Sequence, residues 1–293
     1  MMKIRPLFQK WMLQEDLNFL LTNRIPRIAL TRLMGRWSQI RNPWVVKASM
    51  AIWRLFTDLD LSEAKKTDFE SLHACFTREL IPGARAIDID PLFMTSPCDA
   101  IVGACGEILQ GQIFQAKGFP YQLQSLLGES EFCRSWPALL NGGKYLTLRL
   151  TSSMYHRFHA PHDADLKHVT YISGDTWNVN PVALKRVAEL FCKNERAVLH
   201  MQTREGVPFL IVPVAAVLVA SMRLHAVDVL LNLRYKGPNE MPCDVAYAKG
   251  QEMGWFEHGS TILMFLPAGF EWVDGIGTGQ RIKMGQALLK RVL

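Results

Sequence analysis

From Pro82 onward the chain is a succession of short β-like runs cut by turn residues. Ile101-Val102, Glu107-Ile108-Leu109, Gln112-Ile113-Phe114, Tyr145 to Leu150, Val169 to Ile172 and Val198 to Met201 are separated by Gly103, Gly106, Gly111, Gly142, Gly143 and Gly174. Runs this short, enriched in β-branched and aromatic residues and punctuated this often, predict an all-β sandwich or barrel-like core. The segment Pro181 to Asn194 is the one helical interlude, with Leu184, Val187, Ala188 and Phe191 on one face. Residues 207–220 predict one or two buried strands, and short strands with Gly-rich turns resume from Ile262.

The first sixty residues have a different pattern. Residues 7–57 predict two or three short amphipathic helices, punctuated by Pro26 and the Asn42-Pro43 pair. Leu30, Leu33, Met34 and Trp37 follow helical spacing, while Arg32, Arg36, Ser38 and Gln39 face the other way. A further helix is expected over 61–80, with Ser62 as its N-cap. The fold class is therefore α+β: N-terminal amphipathic helices followed by a mainly antiparallel β sandwich or barrel-like core. The division falls between residues 1–60 and 61–293.

Charge follows the same division. The net charge is +6, and residues 1–60 carry all of it, with ten Lys/Arg against four Asp/Glu. These cations are interspersed with Trp11, Trp37, Trp44, Trp53 and Phe56, which fits a helix lying on an anionic membrane surface better than it fits nucleic acid. The longest apolar run, Val207 to Ala220, contains Pro213 and falls short of the ~20 residues a membrane span requires. The N-terminus has no clean apolar region before a small-residue cleavage site, so no secretory signal is expected. These features point to a peripheral protein at the cytoplasmic face of the cell membrane. The six cysteines are scattered without C-x-x-C spacing and are expected to be core thiols in a reducing compartment.

Three stretches hold candidate chemistry. Gly259-Ser260-Thr261 precedes the apolar run Ile262 to Phe265. Glycine leaves its carbonyl open to close approach, which suits a serine that attacks its own preceding peptide bond. By itself the pattern is also ordinary turn chemistry. Tyr155-His156-Arg157-Phe158-His159-Ala160-Pro161-His162 holds three of the chain's eight histidines. Histidine is the default proton carrier near neutral pH, though three imidazoles also suit zinc or a purely structural role. Pro161 and the odd spacing of His156 and His159 work against a shared metal. Asp99, in the turn Ser96-Pro97-Cys98-Asp99, either caps that turn or orients a histidine.

Together these stretches resemble the phosphatidylserine decarboxylase family. The resemblance is carried by Lys117-Gly118-Phe119-Pro120-Tyr121-Gln122-Leu123 with Leu126-Leu127-Gly128, and by the histidine motif from Tyr155 to Pro161. It continues through Val179-Asn180-Pro181, Asn194-Glu195-Arg196, and Lys249 to Gly254 leading into Gly259-Ser260-Thr261. The basic, tryptophan-bearing N-terminal helices also resemble the membrane-binding part of bacterial members.

The resemblance implies that the precursor cuts itself between Gly259 and Ser260, giving a β chain of residues 1–259 and an α chain of residues 260–293. His159, oriented by Asp99, would activate Ser260, and Ser260 would become a covalent pyruvoyl cofactor. That ketone would take the serine amine of phosphatidylserine as a Schiff base and act as electron sink for loss of CO₂. His156 would deliver the proton that completes phosphatidylethanolamine. The implied partners are phosphatidylserine, an anionic membrane surface and the two chains of the cleaved protein, with a dimer of that pair as a further assembly the family allows; no nucleic acid is implied. Ala100, Met154, Ala215, Ala220 and His258 depart from the family's usual residues. Two alternatives remain at this point. One is a serine hydrolase using Ser260, His159 and Asp99, although no G-x-S-x-G elbow is present; the other is a related decarboxylase acting on another amine-bearing acid.

Overall fold

The structure, a computed structural model, describes residues 14–23, 26–116, 119–217, 221–227, 229–232, 235–257 and 260–292. Lys117, Gly118, Ala220, His258, Gly259 and the helical expectation over residues 7–13 lie outside these. Three helices open the described chain: α1 (Glu15–Asn23), α2 (Arg27–Ser38) and α3 (Pro43–Phe56). A fourth, α4, is the single turn Leu72–Phe76.

The punctuation acts as its chemistry predicts. The Asn42 side chain accepts from the Trp44 and Val45 N–H groups, and Pro43 sits in the first turn, where its missing donor costs nothing. On α2 it is a polar side that faces the protein. Thr31 and Ser38 are its buried residues, whereas Leu33 and Trp37 are 60% and 45% exposed. The helices attach through polar contacts, with Phe19 and Trp53 packing beside them. Arg27 pairs with Asp175 at 2.6 Å and stacks over Trp177, and Asn180 donates to Asn18 at 3.0 Å. Satisfying those polar groups on the protein side turns the apolar stripe outward.

Two other helical expectations are corrected. Over 61–80 only α4 is helical, and its cap is Ser71, whose hydroxyl accepts from Ala74, and not Ser62, whose N–H bonds Asp60. Over 181–194 the helix is two single turns, Pro181–Leu184 and Leu190–Lys193, broken where Glu189 takes a left-handed φ of 53°.

The strands, in chain order, begin with β1 (Phe93–Thr95), β2 (Ala100–Glu107), β3 (Gln112–Ala116), β4 (Phe119–Gln122), β5 (Lys144–Arg149) and β6 (Arg157–His159). Next come β7 (Ala164–Ile172), β8 (Arg196–Thr203), β9 (Pro208–Ala215), β10 (Ser221–Leu224), β11 (Val229–Asn232) and β12 (Glu240–Tyr247). The last are β13 (Glu252–Phe256), β14 (Ser260–Leu266), β15 (Phe270–Trp272), β16 (Arg281–Ile282) and β17 (Ala287–Arg291).

The main sheet has eight strands in the order β12-β7-β8-β9-β14-β5-β2-β16, and its pairings are antiparallel. A four-stranded sheet, β11-β10-β13-β6, supplies the second layer. The main sheet ends in β12 and β16 and does not close on itself, so the core is an open sandwich and the barrel-like expectation is dropped.

β14 shows how the layers are built. Ile262, Met264 and Leu266 join Leu199, Ile211, Phe158, Met222 and Phe256 in the cluster shared with the four-stranded sheet. Leu263 and Phe265 join Val212, Leu126, Trp136 and Phe191 on the opposite face, beneath the short helical segments. A strand buried on both faces needs a continuous apolar run, and Ile262 to Leu266 is one.

Candidate active site

β6 carries the second histidine and pairs antiparallel with β13, setting His159 against Glu252 and Arg157 against Trp255. One residue earlier, the His156 carbonyl accepts the Phe256 N–H at 3.0 Å. The histidine motif therefore lies alongside the segment that runs into Gly259-Ser260. Ser260 is the first residue of β14, and its backbone is paired with Ala215 of β9. Thr261 is paired on both sides, with Val214 and Arg149.

His159 is almost fully buried, and both ring nitrogens have partners. Nδ1 lies 2.9 Å from the Gly250 carbonyl, so Nδ1 carries the proton. Gly250 has φ +80°, a conformation that suits glycine and aims this carbonyl at the ring. Nε2 then accepts from the Tyr155 hydroxyl at 2.9 Å, and burial pushes that phenol's pKa up, keeping its proton in place. Burial also lowers the His159 pKa, partly countered by the Gly250 carbonyl, so the ring is neutral and basic at neutral pH.

The expected contact from Asp99 to His159 is not made, because both imidazole nitrogens are already engaged. The Asp99 carboxylate is instead held by the Arg85 guanidinium at 2.8 and 2.5 Å, and it accepts the Met284 N–H at 2.9 Å. Arg85 also reaches Glu63 at 2.7 Å. Asp99 connects to His159 through the backbone: its turn presents the Pro97 carbonyl, which accepts the His159 N–H at 2.8 Å.

His156 is fully buried; its Nδ1 donates to the Met154 carbonyl at 2.8 Å, and the ring lies against Phe76 with centroids 3.9 Å apart. His162 turns elsewhere, to the Pro91 carbonyl at 2.8 Å. The three histidines thus face three different surroundings.

A cavity of about 580 Å³ opens between α2, α3 and the end of the main sheet where β14 begins. Trp37, Ile52, Trp53 and Phe76 line it, together with Leu150 and Ala216, which follow the strand partners of Thr261 and Ser260. Three residues of the site escaped the sequence reading: Arg85, Tyr155 as a histidine partner, and Gly250. Tyr155 and Gly250 stood inside quoted motifs, but nothing local separates a motif's reactive member from its supports.

The chain matches the family model for phosphatidylserine decarboxylase over residues 72–290. It is similar to phosphatidylserine decarboxylase proenzymes of Brevibacillus brevis (33% identical; 92% of this chain, 95% of the relative) and Pseudomonas putida strain GB-1 (34%; 92% and 95%). A third relative, from Aliivibrio fischeri, is 32% identical over 93% of this chain and 97% of its own. The chain belongs to the phosphatidylserine decarboxylase family. Membership in this family of carboxy-lyases does not support the serine hydrolase alternative.

Proposed function

We infer that this chain is a proenzyme that cuts itself between Gly259 and Ser260 and then decarboxylates phosphatidylserine to phosphatidylethanolamine. The observation that carries the reading is the antiparallel pairing of the histidine strand with the strand leading into that bond.

In this reading Ser260 attacks the Gly259 carbonyl and His159 is the base, with Tyr155 handing its hydroxyl proton to Nε2 as it takes up the one leaving Ser260, so that the phenol stays protonated. Asp99 is a positioning residue: with Arg85 it fixes the turn whose Pro97 carbonyl holds the His159 backbone. His156 delivers a proton in the second reaction from its apolar pocket.

The site fits a pyruvoyl group derived from Ser260, because β14 stays laddered to β5 and β9 when the bond before it breaks. Such a group supplies an electron sink for the electrons released with CO₂. The chains 1–259 and 260–293 remain one folded unit through the same ladders.

The apolar cavity receives the lipid portion of the substrate. Trp44, Ile52 and Phe56 on α3, at 79%, 58% and 48% exposure, rest on an anionic membrane surface, and Arg32 and Arg36 of α2 with Lys47 of α3 supply positive charge. No helix among the described residues is long and apolar enough to cross a membrane, and residues 1–60 act as a peripheral attachment at the cytoplasmic face.

Mass spectrometry of the purified protein tests this. A fragment of residues 260–293 bearing a pyruvoyl group is expected, together with CO₂ release from phosphatidylserine vesicles. An intact chain with serine at position 260 overturns it.

A further inference from the structure

In the triplet Asn194-Glu195-Arg196 the outer residues are bound on every side and the middle one is not. The Asn194 side chain accepts the Trp177 N–H at 2.7 Å and donates to the carbonyls of Trp177 and Ala215 at 2.9 and 2.8 Å. The Arg196 guanidinium donates to the carbonyls of Leu126, Cys192, Asn194 and Ser125 at 2.6 to 3.2 Å. Glu195 is fully buried between them, and neither carboxylate oxygen has a hydrogen-bond partner among the described residues. Tyr171 comes close enough to act on the carboxyl as a weak hydrogen-bond neighbour and so lowers its pKa, but its hydroxyl gives its hydrogen to the Asn232 carbonyl at 3.1 Å.

The position of Glu195 is set by the same clamp. Its carbonyl accepts the Ala215 N–H at 2.8 Å, and Ala215 is the strand partner of Ser260. Glu195, Ala215 and Ser260 therefore form one row across adjacent strands. With neighbouring strands about 4.8 Å apart, the backbones of Glu195 and Ser260 are about 10 Å apart, separated only by an alanine. Native folds rarely leave a buried carboxyl without a partner, and such a group beside a reacting position is explained when a ligand completes it.

A primary ammonium is the ligand that fits. It brings positive charge and three donors, enough to satisfy both oxygens. We propose that Glu195 is a further catalytic residue, which receives the ammonium group of the substrate beside Ser260 and takes one of its protons. The proposal rests on the decarboxylase reading.

In the step an N–H bond of the ammonium breaks and an O–H bond forms on Glu195, leaving a neutral amine with a free electron pair. The proton returns when the product amine leaves as an ammonium, so the carboxylate is restored. Burial raises the Glu195 pKa to about 7, with Tyr171 pulling modestly the other way, so both forms are accessible near neutrality. No charged side chain among the described residues acts on it.

The experiment compares the self-cleaved full protein with Glu195→Gln. The mass of the 260–293 fragment is read first. Phosphatidylserine vesicles and cyanoborohydride are then added, and the rate at which lipid becomes fixed to that fragment is measured across pH. Both proteins are expected to give the same processed fragment. The variant is expected to fix lipid about 100-fold more slowly at neutral pH and to recover at alkaline pH, where the amine is already neutral. Equal rates at neutral pH, or a deficit unchanged by pH, overturn the proposal.

If the variant does not fold or process, the wild type is examined by infrared spectroscopy with isotope-labelled glutamate. A protonated-carboxyl band that grows when phosphatidylserine is added supports the proposal, and an unchanged spectrum overturns it. A wild-type fragment that still begins with serine sinks the decarboxylase reading itself, and this proposal with it.

Discussion

At the Asp99 end of the site a carboxylate is gripped by Arg85 through two oxygens and by the Met284 N–H. At the Glu195 end a carboxylate of the same chemistry is fully buried with no hydrogen-bond partner among the described residues. Each is tied to a reacting position through the backbone, Asp99 by way of Pro97 to His159 and Glu195 by way of Ala215 to Ser260. A carboxylate whose acceptor sites are filled can anchor a turn but has little left to offer a substrate. One whose sites are empty contributes nothing to anchoring and is ready for a ligand. Environment, not residue type, separates the two roles.

The largest test removes the group that both ends serve. Ser260→Ala is expected to remain a single 33.3 kDa chain on a denaturing gel and to release no CO₂, with both carboxylates left in place. A cleaved Ser260→Ala chain would place the reactive bond elsewhere and dissolve the comparison.

Asp99→Asn tests the anchored end. Arg85 and Asp99 have side-chain exposures of only 6% and 13%, so removing the Asp99 charge leaves the buried guanidinium with Glu63 as its remaining carboxylate. A loss of about 2 kcal/mol in urea unfolding is expected, with slower self-cleavage. Full stability together with abolished cleavage would instead mean that Asp99 acts directly on the chemistry.

Glu195→Gln tests the other end through pH. The folded pKa of Glu195 is raised from 4.5 to about 7, so its contribution is fully present below about pH 4.5 and is lost as pH rises through 7. The variant has no such loss. It is expected to match the wild type near pH 4.5 and to exceed it by about 3 kcal/mol above pH 8 in urea unfolding. His200, whose pKa is pushed down to about 4 by burial and by His168, contributes the opposite slope in both proteins and cancels in the difference. A gap that does not open with pH would show that Glu195 is not held this way.

The smallest effect concerns the attachment surface. Trp44→Glu, at a side chain in contact with little else, is expected to weaken binding to anionic vesicles about tenfold while leaving the unfolding midpoint unchanged. An unchanged vesicle affinity would move the membrane surface off α3.

Much of this was legible in the chain. The strand runs fell where β2, β3, β5, β7 and β8 lie, because apolar alternation between turn residues is a local property. Pro26 and Asn42-Pro43 marked helix starts for the same reason. The helix forecast over 61–80 failed because its apolar residues, Leu72, Cys75 and Phe76, pack as a single turn. The contacts that dock α2 were not legible either, since Arg27 meets Asp175, 148 residues away.

By itself the sequence determined the α+β division, the basic amphipathic front, and the motifs holding Asp99, His156, His159 and Ser260. Those follow from residue types and short spacings, which chemistry constrains directly. Only the tertiary structure decided who partners whom: Arg85 with Asp99, Tyr155 and the Gly250 carbonyl with His159, and, among the described residues, no well-formed hydrogen bond to either carboxylate oxygen of Glu195. Partnership is a matter of which strands lie side by side, and a ladder that brings residues 195, 215 and 260 into one row leaves no mark on any of the three alone.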